Sequence, residues 1–213
     1  MQNTSINYSL YAITAPAANL TTQVQQAIDG GITMLQIREK NCTTKRLIEL
    51  AYPILNLCRN AGIPCIIDDD VEAARVLGAD GVHMGQRDMK VQQAREILGD
   101  KAIIGTSAHN VAEAVAAEKA GATYLGCGAV FHTSTKHDAT LLPYAVLCDI
   151  RKAVSIPVVA IGGITAHNIP QLYSSGIDGV AVVSAVFGQP DVTRAARELH
   201  ELTNPFQKKE QRL

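Results

Sequence analysis

The stretch Gly31-Ile32-Thr33-Met34-Leu35 sets a pattern that returns three more times along the chain. In each copy a glycine follows a helical pattern and an apolar run begins a few residues later; the other copies are Gly78-Ala79-Asp80-Gly81-Val82, Gly121-Ala122-Thr123-Tyr124-Leu125 and Gly176-Ile177-Asp178-Gly179-Val180. A glycine at the end of a helix indicates a left-handed cap, and the apolar run indicates a buried strand. The repeat therefore predicts four units in which a helix leads into a strand.

Four further apolar runs lie between these copies. Two of them follow Ile-Pro, at Ile63-Pro64 and Ile156-Pro157, and the other two are residues 10–13 and 102–105. A helical pattern follows each of the eight runs, around residues 22–29, 44–60, 71–77, 91–98, 110–120, 144–154, 168–175 and 191–202. Eight strand–helix units in a chain of this length predict an α/β protein, an eightfold parallel β/α (TIM) barrel. The alternative, an open doubly wound sheet, lacks a G-x-G-x-x-G motif after the first strand.

Length and composition predict a single compact domain. The chain has 213 residues with 47% hydrophobic content, which suits one core; we expect the barrel to span residues 1–203 and residues 204–213 to form a polar, flexible tail. A net charge of −1 gives no broad basic surface, so we expect no nucleic-acid partner. No apolar run approaches the roughly 20 residues of a membrane span. The N-terminus has no signal-peptide pattern and the five cysteines include no C-x-x-C pair, which predicts a cytoplasmic protein with reduced thiols.

The end of the second strand carries polar side chains on one face. In Met34-Leu35-Gln36-Ile37-Arg38-Glu39-Lys40, alternation directs Gln36, Arg38 and Lys40 to the same side. In a barrel the carboxyl ends of the strands meet at one mouth, where active sites lie. This pattern predicts an anion site.

Acidic residues follow the next two strands. Strand three ends in Asp68-Asp69-Asp70, and Asp88 follows strand four. Any one of the three, or Asp88, could be the N-cap of the following helix. Three in a row exceed what a cap needs, and carboxylates at adjacent strand ends suit magnesium held together with substrate phosphates. We therefore predict that Asp69 and Asp88 bind Mg²⁺, and that His83 makes hydrogen bonds within the mouth.

The later strand ends carry groups that suit phosphates. Thr133, Thr135 and Lys136 follow strand six, and hydroxyls with a lysine can form a phosphate cradle. Gly162-Gly163 follows strand seven and Val183-Ser184 follows strand eight, where barrels often bind a phosphate. Together with Arg38, Lys40 and the magnesium, the strand-six loop would fit a metal-bridged diphosphate, and the glycine amides with Ser184 would fit a separate monophosphate. Because a diphosphate is a leaving group, the chemistry indicated is group transfer with release of pyrophosphate.

These residues resemble the thiamine-phosphate synthase family over roughly residues 11–202. The resemblance rests on seven separated motifs in the same order, which are residues 36–40, Asp69, residues 81–88, 105–109, 133–139, 159–164 and 182–185. One departure from the family pattern is Asp68, where the family often has asparagine.

The resemblance implies a reaction and a set of roles. The reaction joins 4-amino-2-methyl-5-hydroxymethylpyrimidine diphosphate and 4-methyl-5-(2-hydroxyethyl)thiazole phosphate to give thiamine phosphate and pyrophosphate. Asp69 and Asp88 would bind Mg²⁺. The pyrimidine diphosphate would be bound by Gln36, Arg38, Lys40 and Lys136. Asp68 would contact substrate. Ser107 would lie at the reacting centre with Lys136 and Arg38 as the other catalytic residues. Gly163, Val183 and Ser184 would bind the thiazole phosphate. Thr133 and Thr135 would bind either that phosphate or the leaving pyrophosphate.

Two other functions stay open at this point. A thiazole tautomerase would use the same barrel for an isomerisation and would not need the diphosphate site. A non-catalytic barrel that senses a phosphorylated metabolite would have little use for two metal-binding acids. The partners expected are the small-molecule substrates, and the sequence leaves the oligomeric state, including a homodimer, undecided.

Overall fold

The protein folds as a closed barrel of eight parallel strands in chain order. The computed structural model describes residues 6–133 and 140–207. The strands are β1 Leu10–Ile13, β2 Met34–Ile37, β3 Cys65–Asp68, β4 Gly81–Met84, β5 Ile103–Ala108, β6 Tyr124–Gly128, β7 Val158–Ile161 and β8 Gly179–Val182. Each strand pairs with its neighbours in sequence, and β8 closes the barrel by pairing with β1. The predicted TIM barrel is confirmed.

Helices connect the strands on the outside of the barrel. They are α1 Leu20–Asp29, α2 Thr44–Ala61, α3 Val71–Leu77, α4 Val91–Leu98, α5 Val111–Lys119, α6 Tyr144–Ala153, a 3₁₀ helix Ile169–Ser175, α7 Ser184–Phe187 and α8 Val192–Gln207. The short helix α7 has no counterpart in the sequence prediction. The four glycines of the repeated motif, Gly31, Gly78, Gly121 and Gly176, all have positive φ, which bears out the left-handed conformation expected at these helix ends.

Helix α8 continues beyond its predicted end at residue 202. Phe206 is buried, and the Gln207 side-chain amide donates a hydrogen bond to the Ser9 hydroxyl at 3.1 Å. Residues 204–207, which the sequence assigns to a polar tail, are therefore helical and packed on the barrel. The remaining residues of that tail lie outside the described ranges. No helix in the described ranges is both long and apolar enough to span a membrane.

The core has two layers. A larger layer lies between the barrel and its helices, and a smaller one fills the barrel with Tyr8, Tyr11, Ile13, Met34, Ile66, Ile103, Tyr124, Val159 and Ala181. Two glycines make room for two ring side chains, those of Tyr124 and His83. A Cβ on Gly105 would lie 2.1 Å from Cζ of Tyr124, and one on Gly126 would lie 3.0 Å from Cε1 of His83. These glycines allow an aromatic ring and an imidazole to pack beneath the mouth.

Candidate active site

A charged cluster lies where β2 and β3 end. Gln36 donates a side-chain hydrogen bond to Asp68 at 3.2 Å, and Lys40 Nζ lies 2.6 Å from the same carboxylate. Arg38 Nε is 3.7 Å from Asp68, and Lys40 also bonds Asp69. The structure thus brings together five residues that the sequence assigned to the site. Strand β2 ends at Ile37, so the two cations lie in the turn that follows the strand rather than on it.

Charge within this cluster is closely balanced. Arg38 and Lys40 carry two positive charges, and Asp68 and Asp69 carry two negative ones. Partial burial alone would lower the pKa of Lys40, but hydrogen bonds to Asp68 and Asp69 outweigh it and raise the pKa. Lys40 therefore stays protonated at neutral pH. Thr14, the residue after β1, supports this turn, since its hydroxyl accepts a hydrogen bond from the Arg38 backbone N–H at 2.9 Å.

The three consecutive acids have separate roles. Asp70 is the N-cap of α3, because its carboxylate accepts from the Ala73 backbone N–H at 2.8 Å. Asp69 has a left-handed backbone with φ of 60°, so the strand breaks after Asp68 and the alternation of side chains ends there. For this reason Asp68 and Asp69 both reach Lys40 instead of facing opposite sides. A non-glycine residue held at positive φ is uncommon and typical of functional sites.

Asp88 lies in the loop after β4, next to the end of β3. Its carboxylate accepts from the Gly85 backbone N–H at 2.7 Å, and its own N–H donates to the Gly85 carbonyl at 3.2 Å. The N-cap of α4 is Lys90, so Asp88 is not a cap. Strand β4 pairs with β3, and the Asp69 N–H donates to the His83 carbonyl at 2.8 Å. The loops that carry the two predicted magnesium ligands are therefore neighbours.

The acidic groups suit a metal that is shared with substrate. In residues 6–133 and 140–207, no three His, Cys, Asp or Glu side chains converge as a complete metal site. Carboxylate oxygens are hard ligands, and Mg²⁺ is commonly bound by one or two carboxylates together with phosphate oxygens and water. Asp69 and Asp88 fit that kind of binding, and they do not fit a metal enclosed by protein ligands alone.

Ser107 is connected to a buried polar chain. Its Oγ lies 3.3 Å from His83 Nε2, and His83 Nδ1 lies 2.9 Å from the Tyr124 hydroxyl. The Tyr124 hydroxyl is in turn 2.9 Å from that of Tyr11. Burial, and then the positive charge of Lys40, lower the pKa of His83 to about 4, so the ring is neutral at neutral pH. The prediction that His83 makes hydrogen bonds within the mouth is confirmed.

The loop after β6 lies against two glycines that follow β7. Gly162 and Gly163 have φ of 100° and 64°, and the Phe131 N–H donates to the Gly162 carbonyl at 3.0 Å. A Cβ on Gly163 would lie only 2.3 Å from the His132 carbonyl oxygen. The absence of a side chain at Gly163 therefore allows the loop after β6 to pack closely against this backbone. Thr133 is the last described residue of that loop, and Thr135 and Lys136 lie outside the described residues.

Val183 and Ser184 lie where α7 begins. Val183 is the N-cap residue and Ser184 is the first residue of the helix. The Ser184 carbonyl accepts a hydrogen bond from the Gln189 side chain at 3.0 Å, which closes the turn after the helix. The β8 end thus carries backbone N–H groups and a hydroxyl on the same edge of the barrel as Gly163.

Sequence reasoning missed Tyr11 and Tyr124 as parts of the site. Both lie inside apolar strands, where an aromatic residue indicates core packing. Gly105 and Gly126, in the adjacent positions of the barrel interior, were the available signal, since an inward glycine indicates a large neighbour or a close approach.

The fold and the mouth define a class: a TIM-barrel protein with charged and polar groups at the carboxyl ends of its strands, where the active sites of such barrels lie. The sequence pattern of the family described as "thiamine monophosphate synthase" matches residues 10–186, and the chain belongs to that family.

Similar proteins agree with this assignment. The thiamine-phosphate synthase of Chloroflexus aurantiacus is 44% identical over 210 residues, which cover 96% of each chain. The one from Pyrococcus abyssi is 45% identical over 179 residues, covering 84% of this chain and 86% of the relative. A solved thiamine phosphate pyrophosphorylase from Pyrococcus furiosus superposes with a TM-score of 0.87 at 38% identity, covering 94% of this chain and 98% of that one.

Proposed function

We propose that this chain joins 4-amino-2-methyl-5-hydroxymethylpyrimidine diphosphate to 4-methyl-5-(2-hydroxyethyl)thiazole phosphate, forming thiamine phosphate and releasing pyrophosphate with the help of Mg²⁺. Family membership and high coverage by relatives named for this activity support the reaction. The observation that carries the assignment of roles is the charged cluster, in which Gln36, Arg38 and Lys40 converge on two carboxylates at the mouth.

The charged cluster binds the pyrimidine diphosphate. Its two cations are matched by two anions, so it offers a diphosphate little net attraction when it is empty. Asp69 and Asp88 would hold Mg²⁺, which would supply positive charge to stabilise the leaving pyrophosphate. Lys40, which pairs with both Asp68 and Asp69, would bind a phosphate of this substrate. Arg38 and Lys136 add positive charge next to the leaving group. Gln36, held by its hydrogen bond to Asp68, orients the pyrimidine diphosphate.

The other side of the mouth binds the acceptor. Gly163, Val183 and Ser184 bring backbone N–H groups and a hydroxyl to the ends of β7 and β8, and we assign them to the thiazole phosphate. Thr133 and Thr135, on the loop packed over Gly163, would bind that phosphate or the pyrophosphate. Catalysis then requires no protein nucleophile. It comes from neutralising the charge that develops on the leaving group and from holding the acceptor nitrogen near the reacting carbon.

The proposal is tested by mixing the purified protein with both substrates and Mg²⁺ and measuring thiamine phosphate and pyrophosphate. We expect the two products in equal amounts. Chelation of divalent ions should abolish both, and added Mg²⁺ should restore them. Conversion of the thiazole phosphate to an isomer without pyrophosphate would favour the tautomerase instead. Tight binding of one phosphorylated substrate without turnover would favour a sensor.

A further inference from the structure

A chain of hydrogen-bonding groups runs from the interior of the barrel to Ser107. It connects the Tyr11 and Tyr124 hydroxyls, the two nitrogens of His83 and the Ser107 hydroxyl, with heavy-atom distances of 2.9, 2.9 and 3.3 Å. Tyr11 and Tyr124 are buried, and the Tyr124 ring packs edge-on against that of Tyr11 at 5.8 Å between centroids. The glycines at 105 and 126 leave the room that the Tyr124 and His83 rings occupy. Four strands, β1, β6, β4 and β5, therefore contribute one group each.

The direction of this chain follows from counting donors. A neutral imidazole has one N–H donor and one acceptor nitrogen, and a phenol has one O–H donor. If Ser107 donated to His83, then His83 would donate to Tyr124 and Tyr124 to Tyr11. The Tyr11 O–H would then be a buried donor for which the described residues offer no acceptor. A buried donor left unpaired is costly.

The opposite direction leaves no such donor. Tyr11 donates to Tyr124, Tyr124 donates to His83 Nδ1, and His83 Nε2–H donates to the Ser107 oxygen. The Tyr11 oxygen then accepts no hydrogen bond within this series, but an acceptor with unused lone pairs costs less than an orphaned donor. A charged imidazole, with two donors, would again leave the Tyr11 proton unpaired. The neutral Nε2–H tautomer is thus the one that gives the Tyr11 O–H, the Tyr124 O–H and the His83 N–H an acceptor each.

We propose that Tyr11, Tyr124 and His83 are positioning residues that fix Ser107 as a hydrogen-bond donor toward the pyrimidine diphosphate. With its oxygen already accepting from His83, Ser107 has its own proton available for an acceptor atom of the substrate. The substrate named here rests on the proposed function. The direction of the chain rests only on the geometry of the protein.

Nitrogen-15 NMR of histidine-labelled protein at neutral pH tests the direction without any substrate. The His83 signals are assigned by their loss in His83→Gln. We expect a pyrrole-type Nε2 and a pyridine-type Nδ1. The reverse tautomer, with the proton on Nδ1, would overturn the proposal.

A matched pair of variants then tests the role of Tyr124. Tyr124→Phe removes the donor to Nδ1 and should shift the His83 signals toward a mixture of tautomers. Tyr8→Phe is the control, because the Tyr8 ring packs 5.2 Å from that of Tyr124 while its buried hydroxyl has no hydrogen-bond partner among the described residues. It should leave the His83 signals unchanged. Equal shifts in both variants would indicate general packing effects and contradict the proposal. If Tyr124→Phe does not fold, the tautomer in the wild-type protein still decides.

Kinetics show whether the hydrogen-bonded series of Tyr11, Tyr124 and His83 acts through Ser107. We expect Tyr124→Phe to lower kcat about tenfold, the rate equivalent of one hydrogen bond, with little change in KM. In a Ser107→Ala background the same substitution should cost less than about twofold, because the group it positions is gone. Equal losses in both backgrounds would overturn the role through Ser107. A wild-type protein with the expected tautomer and no synthase activity would overturn the named substrate and the proposed function, and would leave the direction of the chain standing.

Discussion

At the ends of β2 and β3 the polar contacts join side chains of opposite charge, whereas at the ends of β6 and β7 they join backbones across two glycines. We call the first region the charged half of the mouth, residues 36–40, 68–69 and 85–88. The second is the glycine half, residues 129–133, 162–163 and 183–184. We expect a phosphate in both halves, yet the first half offers paired charged side chains and the second offers backbone groups.

The difference indicates how each half binds its ligand. In the charged half, the cations are already paired, so a diphosphate and Mg²⁺ bound as proposed would have to rearrange existing ion pairs. In the glycine half, the left-handed backbone at Gly162 and Gly163 fixes the path of the β6 loop, and binding depends on shape. Substitutions in the charged half should therefore change the metal dependence and the rate. Substitutions in the glycine half should change stability and affinity for the thiazole phosphate.

The largest effect is expected from Asp69→Asn compared with Asp68→Asn. Asp69→Asn removes the charge of the proposed magnesium ligand and should lower kcat by about 10²–10³ at all magnesium concentrations. Asp68→Asn should cost less than about tenfold, because the amide keeps one acceptor for Lys40 and can exchange hydrogen bonds with the Gln36 amide. Steady-state rates across a magnesium series measure both. An inactive Asp68→Asn beside a normal Asp69→Asn would show that the metal ligand is misassigned.

Lys136→Ala should come next, with kcat lowered by about 10² and the melting temperature nearly unchanged. The lysine is assigned to charge that develops on the leaving pyrophosphate, so kcat and kcat/KM should decrease together. Lys152→Ala is the matched control, since Lys152 is an exposed residue on α6. Unchanged turnover with a higher KM would show that Lys136 only recruits substrate.

His83 makes the stability of the folded protein depend on pH. Its pKa is lowered from 6.5 to about 4 in the folded protein, chiefly by burial, so the unfolded chain binds more protons between these values. The free energy of unfolding should therefore fall as pH decreases from 6.5 to 4, by at most on the order of 3 kcal/mol from this group. Urea denaturation of metal-free protein across that range measures it, with His83→Gln lacking this contribution. Parallel pH curves for the two proteins would contradict a neutral buried His83.

The glycine half is tested by Gly163→Ala against Gly62→Ala. Both glycines have φ near 65°, at 64° and 69°, so both variants carry the cost of a left-handed alanine, about 1–2 kcal/mol. A Cβ at 62 meets nothing within 4 Å, whereas one at 163 would lie 2.3 Å from the His132 oxygen. Gly163→Ala should therefore unfold more easily than Gly62→Ala and bind the thiazole phosphate more weakly. Equal stabilities would mean that the β6 loop moves away freely.

The sequence was sufficient for the barrel and for much of the charged half. The glycine repeats marked the ends of helices, and all eight strands lie where the apolar runs are. Gln36, Arg38 and Lys40 were found because polar residues in an apolar strand end are conspicuous. The sequence did not separate Asp68, Asp69 and Asp70, because a cap and a ligand have the same residue type, and only the φ of Asp69 and the contacts of Asp70 distinguish them.

Other features depend on contacts between distant parts of the chain. Tyr11 and Tyr124 are 113 residues apart and meet only when the barrel closes. Helix α7 has four residues, too few for a periodic pattern. The continuation of α8 depends on Phe206 packing against the barrel, which overrides the polar composition around it.

The central claim is that the charged half binds a diphosphate only together with magnesium. Calorimetric titration of pyrophosphate into the protein, with and without Mg²⁺, tests it most directly, with Asp69→Asn and Gly163→Ala measured alongside. We expect Mg²⁺ to tighten binding at least about tenfold, or 1.4 kcal/mol, in the wild type and in Gly163→Ala, and to have no such effect in Asp69→Asn. Equally tight pyrophosphate binding by the wild type without Mg²⁺ would contradict the account.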